Sequence, residues 1–167
     1  AAMHALWTLH GLTAITPDNA DVWAAVTTAL SHPSAGVRRN AVAVLPRSQA
    51  GLNLLLDSTT LNDVDAQVRL AAILALASMP ESDTAGHTVR GLVEETDLVM
   101  SDRWLSDAAT SAAAAHALPF LQAIVDAQNA PCGPGPSPND APIWKVVRRV
   151  AEHLARGKPD AKSTNRI

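Results

Sequence analysis

Val37-Arg38-Arg39-Asn40-Ala41-Val42-Ala43-Val44-Leu45 and Val68-Arg69-Leu70-Ala71-Ala72-Ile73-Leu74-Ala75-Leu76 align without a gap, 31 positions apart. Working outward, Ala5 and Leu9 fall on the alanine and leucine columns 36 positions before Ala41 and Leu45. Ala108 and Ala112 fall on them again, 36 positions after Ala72 and Leu76. Self-similarity at spacings of 36, 31 and 36 is the mark of stacked helical hairpins. One hairpin cannot bury its own apolar face, so each is stabilised by the next. The reading is an all-α superhelix, a solenoid of about four helical hairpins with a C-terminal capping helix.

Composition agrees. Hydrophobic residues make up 47% of the 167, and alanine alone is about a fifth. Aromatics are limited to one Phe and four Trp. Strand formers are not clustered between turn signals, so helices approaching across small side chains are expected. No apolar run is long enough to cross a bilayer, and no membrane insertion is expected. The single cysteine, Cys132, excludes an intrachain disulfide. No signal-peptide pattern is present, and Ala1 opens inside a helical pattern without an initiator Met or a cap. The expectation is a fragment of a longer protein.

Local signals place the elements. Helices are expected over about 2–12, ended by Gly11, and about 19–31, capped by Asp18 or Asn19 and stopped by His32-Pro33. Ser34 opens a helix over about 34–47 with Pro46 in its last turn. The next helices are expected at about 49–58 and, opened by Asp63 and Asp65, up to about Met79. That last helix carries two apolar faces and is expected to be buried on both. Ser82 or Asp83 caps a helix over about 83–99, and Asp102 one over about 102–117. Pro119 is expected to interrupt the run before a short helix over about 119–128. The repeats thus cover 1–128. A Pro/Gly-rich loop follows at 129–141, with four prolines and two glycines, then a C-terminal helix at 142–156 and a flexible tail at 157–167.

Arg38 and Arg69 each follow a valine near the start of a hairpin's second helix. From there they reach an acidic or carbonyl group of the adjacent repeat, forming an inter-repeat ladder in which Asp63 or Asp65 partners Arg38. Pro33-Ser-Ala-Gly-Val37-Arg38 and Asp63-Val-Asp-Ala-Gln-Val68-Arg69 resemble HEAT repeats of the short bacterial type, whose second helix carries Val-Arg after an Asp/Pro-rich turn. The first repeat has Ala2 at the arginine position, and the fourth has Trp104-Leu105 in place of Val-Arg. Over 3–118, with Met3-His4-Ala5-Leu6-Trp7-Thr8-Leu9-His10-Gly11-Leu12 and Asp102-Arg103-Trp104-Leu105, the chain is similar to the HEAT segment of large secreted bacterial proteins. There a propeller-like dehydrogenase domain precedes the segment and a c-type cytochrome module often follows it. The resemblance implies a periplasmic or extracellular location and a parent oxidoreductase. Cys132 is followed by Gly-Pro-Gly, so this chain itself has no haem-attachment motif.

The search for chemistry is short. The six histidines form no i, i+4 pair and no His-Glu-x-x-His. Asp57, Asp63 and Asp65 lack the glycine and closing Glu of a calcium loop. Cys132 has no evident base, and Glu94, Glu95 and Asp97 read as a solvated helix face. Phosphate-loop, nucleophile-elbow and dinucleotide motifs are absent. No catalytic residue, cofactor or metal is assigned. Trp7, Trp23 and Trp104 are expected in the core, and Trp144 is expected to pack the last helix on the stack. An exposed tryptophan would instead be a binding anchor.

Net charge is −3, but seven of thirteen basic residues follow residue 144 against two acidic ones, leaving residues 1–144 at −8. This basic end, with Trp144, Lys145, Arg148 and Arg149, either docks on an acidic neighbour or is a solvated helix and tail. The reading is a non-catalytic scaffold whose partner is protein. The alternatives are a structural segment of a multidomain dehydrogenase/cytochrome protein, or a nucleic-acid binder, which the acidic body argues against.

Overall fold

The computed structural model describes residues 1–94, 101–129 and 143–157. Among them are nine α-helices, one short 3-10 turn and no strand. The chain divides into two compact units, Ala1–Pro80 and Glu81–Ile167.

The first unit contains α1 (Ala2–Gly11), α2 (Ala20–Leu30), α3 (Ala35–Ala43), α4 (Gln49–Asp57) and α5 (Ala66–Leu76), with a 3-10 turn at Thr60–Asn62. Asp65 starts α5 by accepting from the Gln67 and Val68 amides, which satisfies two of the four donors a helix start leaves open. Ser48 does the same for α4 through the Gly51 amide. The repeated columns become the core. Val37, Ala41, Val42 and Leu45 of the α3 strip are buried, and so are Val68, Ala72, Ile73 and Leu76 of α5. α3 and α5 pack together, and α1 and α2 pack on α3. Each such Val, Ile or Leu contributes about 1.5–3 kcal/mol by leaving water.

Several boundaries differ from the sequence reading. α3 stops at Ala43, with Val44 and Leu45 closing it through amides bonded to Asn40 and Val42 carbonyls. Pro46 therefore lies outside the helix, because its predecessor is driven from the helical region. α5 ends at Leu76, and residues 77–79 continue as a turn with Ser78 and Met79 amides on the Ala75 and Leu76 carbonyls. Its second apolar face is not fully covered: Ile73 is buried, but Leu74 is 47% exposed. The left-handed residue after α1 is Thr13, at φ 53°, rather than Gly11. Gly51 has a different task. A Cβ there would lie 2.0 Å from the Pro46 carbonyl oxygen, so only glycine lets α4 cross that turn.

The second unit contains α6 (Asp83–Glu94), α7 (Arg103–Ala115), α8 (Ala117–Asn129) and α9 (Ile143–Arg156). Asp102 caps α7 through the Trp104 and Leu105 amides. The run is interrupted before a helix at about the expected place, with the break at His116. Pro119 sits in the first turn of α8, where its missing N–H has no intrahelical acceptor to lose. α7 and α8 meet at 99°. The fully buried His116 lies at their junction, and its Nδ1 accepts from the Ser82 amide at 3.3 Å. α6 crosses α8 at Gly86, where a Cβ would lie 2.4 Å from Pro119 Cβ and 2.5 Å from its carbonyl carbon. α7 buries Leu105, Ala108, Ala109, Ala112 and Ala113, the small residues allowing close packing. α9 covers α7 and α8 with Ile143, Val146 and Val150. No single described helix is long and apolar enough to cross a membrane. The expected loop at 129–141, but for Asn129, and the tail beyond Gly157 lie outside the described residues, as does the 95–99 end of the sixth expected helix.

The caps of α5 and α7 give a second alignment of the two helices. Aligning Asp65 with Asp102 places Leu105 on Val68, Ala109 on Ala72, Ala112 on Ala75 and Ala113 on Leu76, all buried. The offset is then 37; at 36, Ala108 and Ala112 fall on Ala72 and Leu76 and are buried as well. Trp104 falls outside the core, at 68% exposure. Trp7 is 47% exposed and Trp23 half-buried, so none of these three tryptophans is a core residue of its unit. α1 buries only Leu6, and the Trp7 indole N–H instead donates to Asn40 Oδ1 at 2.6 Å.

Candidate functional site

The first group of residues lies where α3 meets the turn before α5. Arg38 Nε and Nη2 donate to Asp63 Oδ2 and Oδ1 at 2.6 and 2.7 Å, a two-point fork. Arg38 Nη1 turns back to the carbonyls of His32 and Pro33 at 2.8 and 3.0 Å. Asp63 is buried and takes a further bond from the Asp65 amide at 2.9 Å. The Arg38 hydrogen bonds hold the Asp63 carboxyl below the usual carboxylate range against the opposing effect of burial. The Asp65 amide and the charges of Arg38 and Arg69 add to this. The same fork raises Arg38 above its ordinary value.

Arg69 repeats half of this arrangement. Its Nη1 donates to the carbonyls of Asp63 and Val64 at 2.6 and 3.3 Å, six and five residues back, as Arg38 does to His32 and Pro33. It makes no forward fork to a carboxylate among the described residues, and its Nε is buried without an acceptor. Asp65 does not pair with Arg38: the fork goes to Asp63, and Asp65 Oδ1 instead accepts from the α5 amides at 2.8 and 3.2 Å.

The second group is carried by α9. Trp144 is half-buried and lines an apolar groove of about 460 Å³ between α8 and α9, with Leu121, Ile124, Val147 and Leu154. Its indole N–H is buried there without an acceptor. Lys145 and Arg149, one helical turn apart, line a different cleft of about 480 Å³ between α7 and α9. The α7 wall supplies Arg103, Ser106, Asp107 and Thr110. Arg148 is exposed and lines neither recess. The four sequence-selected residues of α9 thus separate into three surroundings. The α7 wall escaped sequence reading because nothing in the spacing of 103–110 shows which helix covers it.

A smaller recess of about 210 Å³ between α6 and α8 is lined by Asp83, His87 and Asp126. Among the described residues no group of three or more His, Cys, Asp or Glu is placed to hold a metal ion. No protein-family model matches the chain, and no curated protein or solved structure matches it either.

Proposed function

We propose that the chain is a HEAT-like segment of an α–α solenoid and serves as a non-catalytic scaffold that holds a protein partner or spaces neighbouring domains of a larger protein. The observation that carries this reading is the recurrence of one local design at 31 residues. Arg38 and Arg69 each clamp the two carbonyls of their own preceding turn. The strips beside them bury matching residues, Val37 with Val68, Ala41 with Ala72 and Leu45 with Leu76. Repeats of this kind put stability into contacts between neighbours and leave their outer faces free for docking.

Removing one period tests the architecture. Deleting residues 38–68 joins Val37 directly to Arg69 and preserves every column. A solenoid gives a shorter chain that still melts cooperatively and keeps its helical circular dichroism. Collapse to an unfolded chain overturns the repeat reading. Cross-linking in cells followed by mass spectrometry tests the role. Discrete links to one neighbouring domain or chain are expected, and a chain that stays unlinked argues against a scaffold.

A second reading follows from the similarity over 3–118 to HEAT segments of extracytoplasmic dehydrogenase/c-type cytochrome proteins. The coding region on either side decides it. A propeller-like domain upstream and a Cys-x-x-Cys-His downstream support it. Further helical hairpins, or a stop on each side, overturn it.

A further inference from the structure

We infer that the cleft between α7 and α9 is an anion-recognition site whose ligand is a carboxylate-rich peptide segment of the scaffold's partner; this rests on the scaffold reading above. The cleft gathers three cations, Arg103 from α7 and Lys145 and Arg149 from α9, against one carboxylate, Asp107. Asp107 lies 3.8 Å from Arg103, one turn before it, as an exposed pair, so the cleft keeps a net excess of positive charge. Lys145 and Arg149 have no ion-pair partner among the described residues. The Thr110 hydroxyl donates to the Ser106 carbonyl at 2.9 Å, and the Ser106 side chain lines the same cleft.

The helix end does not supply this attraction. Asp102 already fills the amide slot at the start of α7, on Trp104 and Leu105 at 2.8 and 3.2 Å. The side chains therefore carry the positive charge, and they sit on two separate helices, facing one recess.

Charge and size select the ligand. Two unpaired cations one turn apart suit carboxylates spaced along an extended peptide. Beside the cleft, Trp104 is 68% exposed with the Arg103 guanidinium 5.9 Å from its ring centre. Trp and Arg, with Tyr, are enriched among the residues that carry most of the energy of protein–protein binding. A nucleic-acid strand needs a basic track that follows several phosphates, whereas this cleft is short and the chain as a whole carries −3.

The test uses the full chain and a fluorescent hexaglutamate peptide, read by anisotropy. Saturable binding is expected that weakens between about 50 mM and about 500 mM salt. Lys145→Glu with Arg149→Glu should weaken it by about tenfold or more, and Arg103→Gln should weaken it from the opposite wall. Arg148→Glu changes the same charge on the same helix outside the cleft and should leave binding within about twofold. All altered side chains are exposed, and circular dichroism checks that each variant is folded. Absence of saturable binding overturns the inference. So does an equal loss in Arg148→Glu, which would mean diffuse attraction. Tighter binding of hexathymidylate than of hexaglutamate would assign the cleft to nucleic acid instead. If hexaglutamate fails while cellular cross-links persist, the site is wrong and the scaffold stands. If it binds while cross-links are absent, the reverse holds.

Discussion

Asp63 is the residue on which most of the first unit's polar order converges. It holds Arg38 at two points and the Asp65 amide at a third, so removing its charge strands donors in a buried place. Asp63→Ala should cost about 2–3 kcal/mol, measured by urea unfolding at neutral pH. The pH dependence has a definite sign. Folding depresses the Asp63 value below its ordinary 3.8. The stabilisation is therefore complete above that value and disappears as pH falls through the lower, folded one. The urea midpoints of wild type and Asp63→Asn should converge on acidification below about pH 4. A gap that stays constant would show that the fork contributes nothing through charge. Arg69→Ala removes a 2.6 Å bond to the Asp63 carbonyl and should cost about 1–3 kcal/mol; an unchanged melting temperature would contradict it. The Val-Arg step made Arg38 legible as one half of a pair. The choice between Asp63 and Asp65 was not legible, because either carboxylate can cap or pair. Only the backbone decides, by giving Asp65 the first amides of α5.

At the scale of elements, periodicity and capping residues located most helices within a few residues, since caps and prolines act through neighbours in sequence. The misses have equally local causes. Pro46 ends its helix earlier than expected, while the break expected at Pro119 falls at His116, with Pro119 in the first turn of α8, where its amide would not have been used. Trp104 lies on a helix beside an apolar face and is expected in the core, yet α7 buries Leu105, Ala108 and Ala109 and leaves Trp104 68% exposed. The crossing of α6 and α8 was invisible in sequence, since nothing near Gly86 announces Pro119. It makes a sharp prediction. A methyl at Gly86 has no side-chain tip to push aside, only Pro119 Cβ and backbone at 2.4–2.6 Å. Gly86→Ala should destabilise by about 1–3 kcal/mol despite alanine's better helix propensity. Gly91→Ala, on the same helix with open space around it, should instead be neutral or stabilising by up to about 1 kcal/mol. Equal thermal shifts for the two would mean that the crossing is not tight.

For the whole molecule, the sequence made the helical class plain because alanine columns and period carry it without any knowledge of contacts. The cleft between α7 and α9 was half legible. The charge imbalance after residue 144 pointed to Lys145, Arg148 and Arg149, but which of them face a partner wall is a property of packing. The division at Pro80 was not legible at all, since the repeat columns run through it. That division has an energetic consequence. In a chain stabilised by neighbouring contacts, a lesion need not be felt everywhere. Each unit has its own buried strip, α3 with α5 in one and α6 with α8 in the other. Gly86→Ala should therefore speed amide hydrogen exchange in α6 and α8 by about 5–150-fold, the range that 1–3 kcal/mol allows. α3 and α5 should keep most of their protection. Peptide-resolved exchange measured by mass spectrometry distinguishes the cases. An equal rise in both units would mean that the chain opens as one block, and that the repeat columns couple across the division more strongly than either core holds itself.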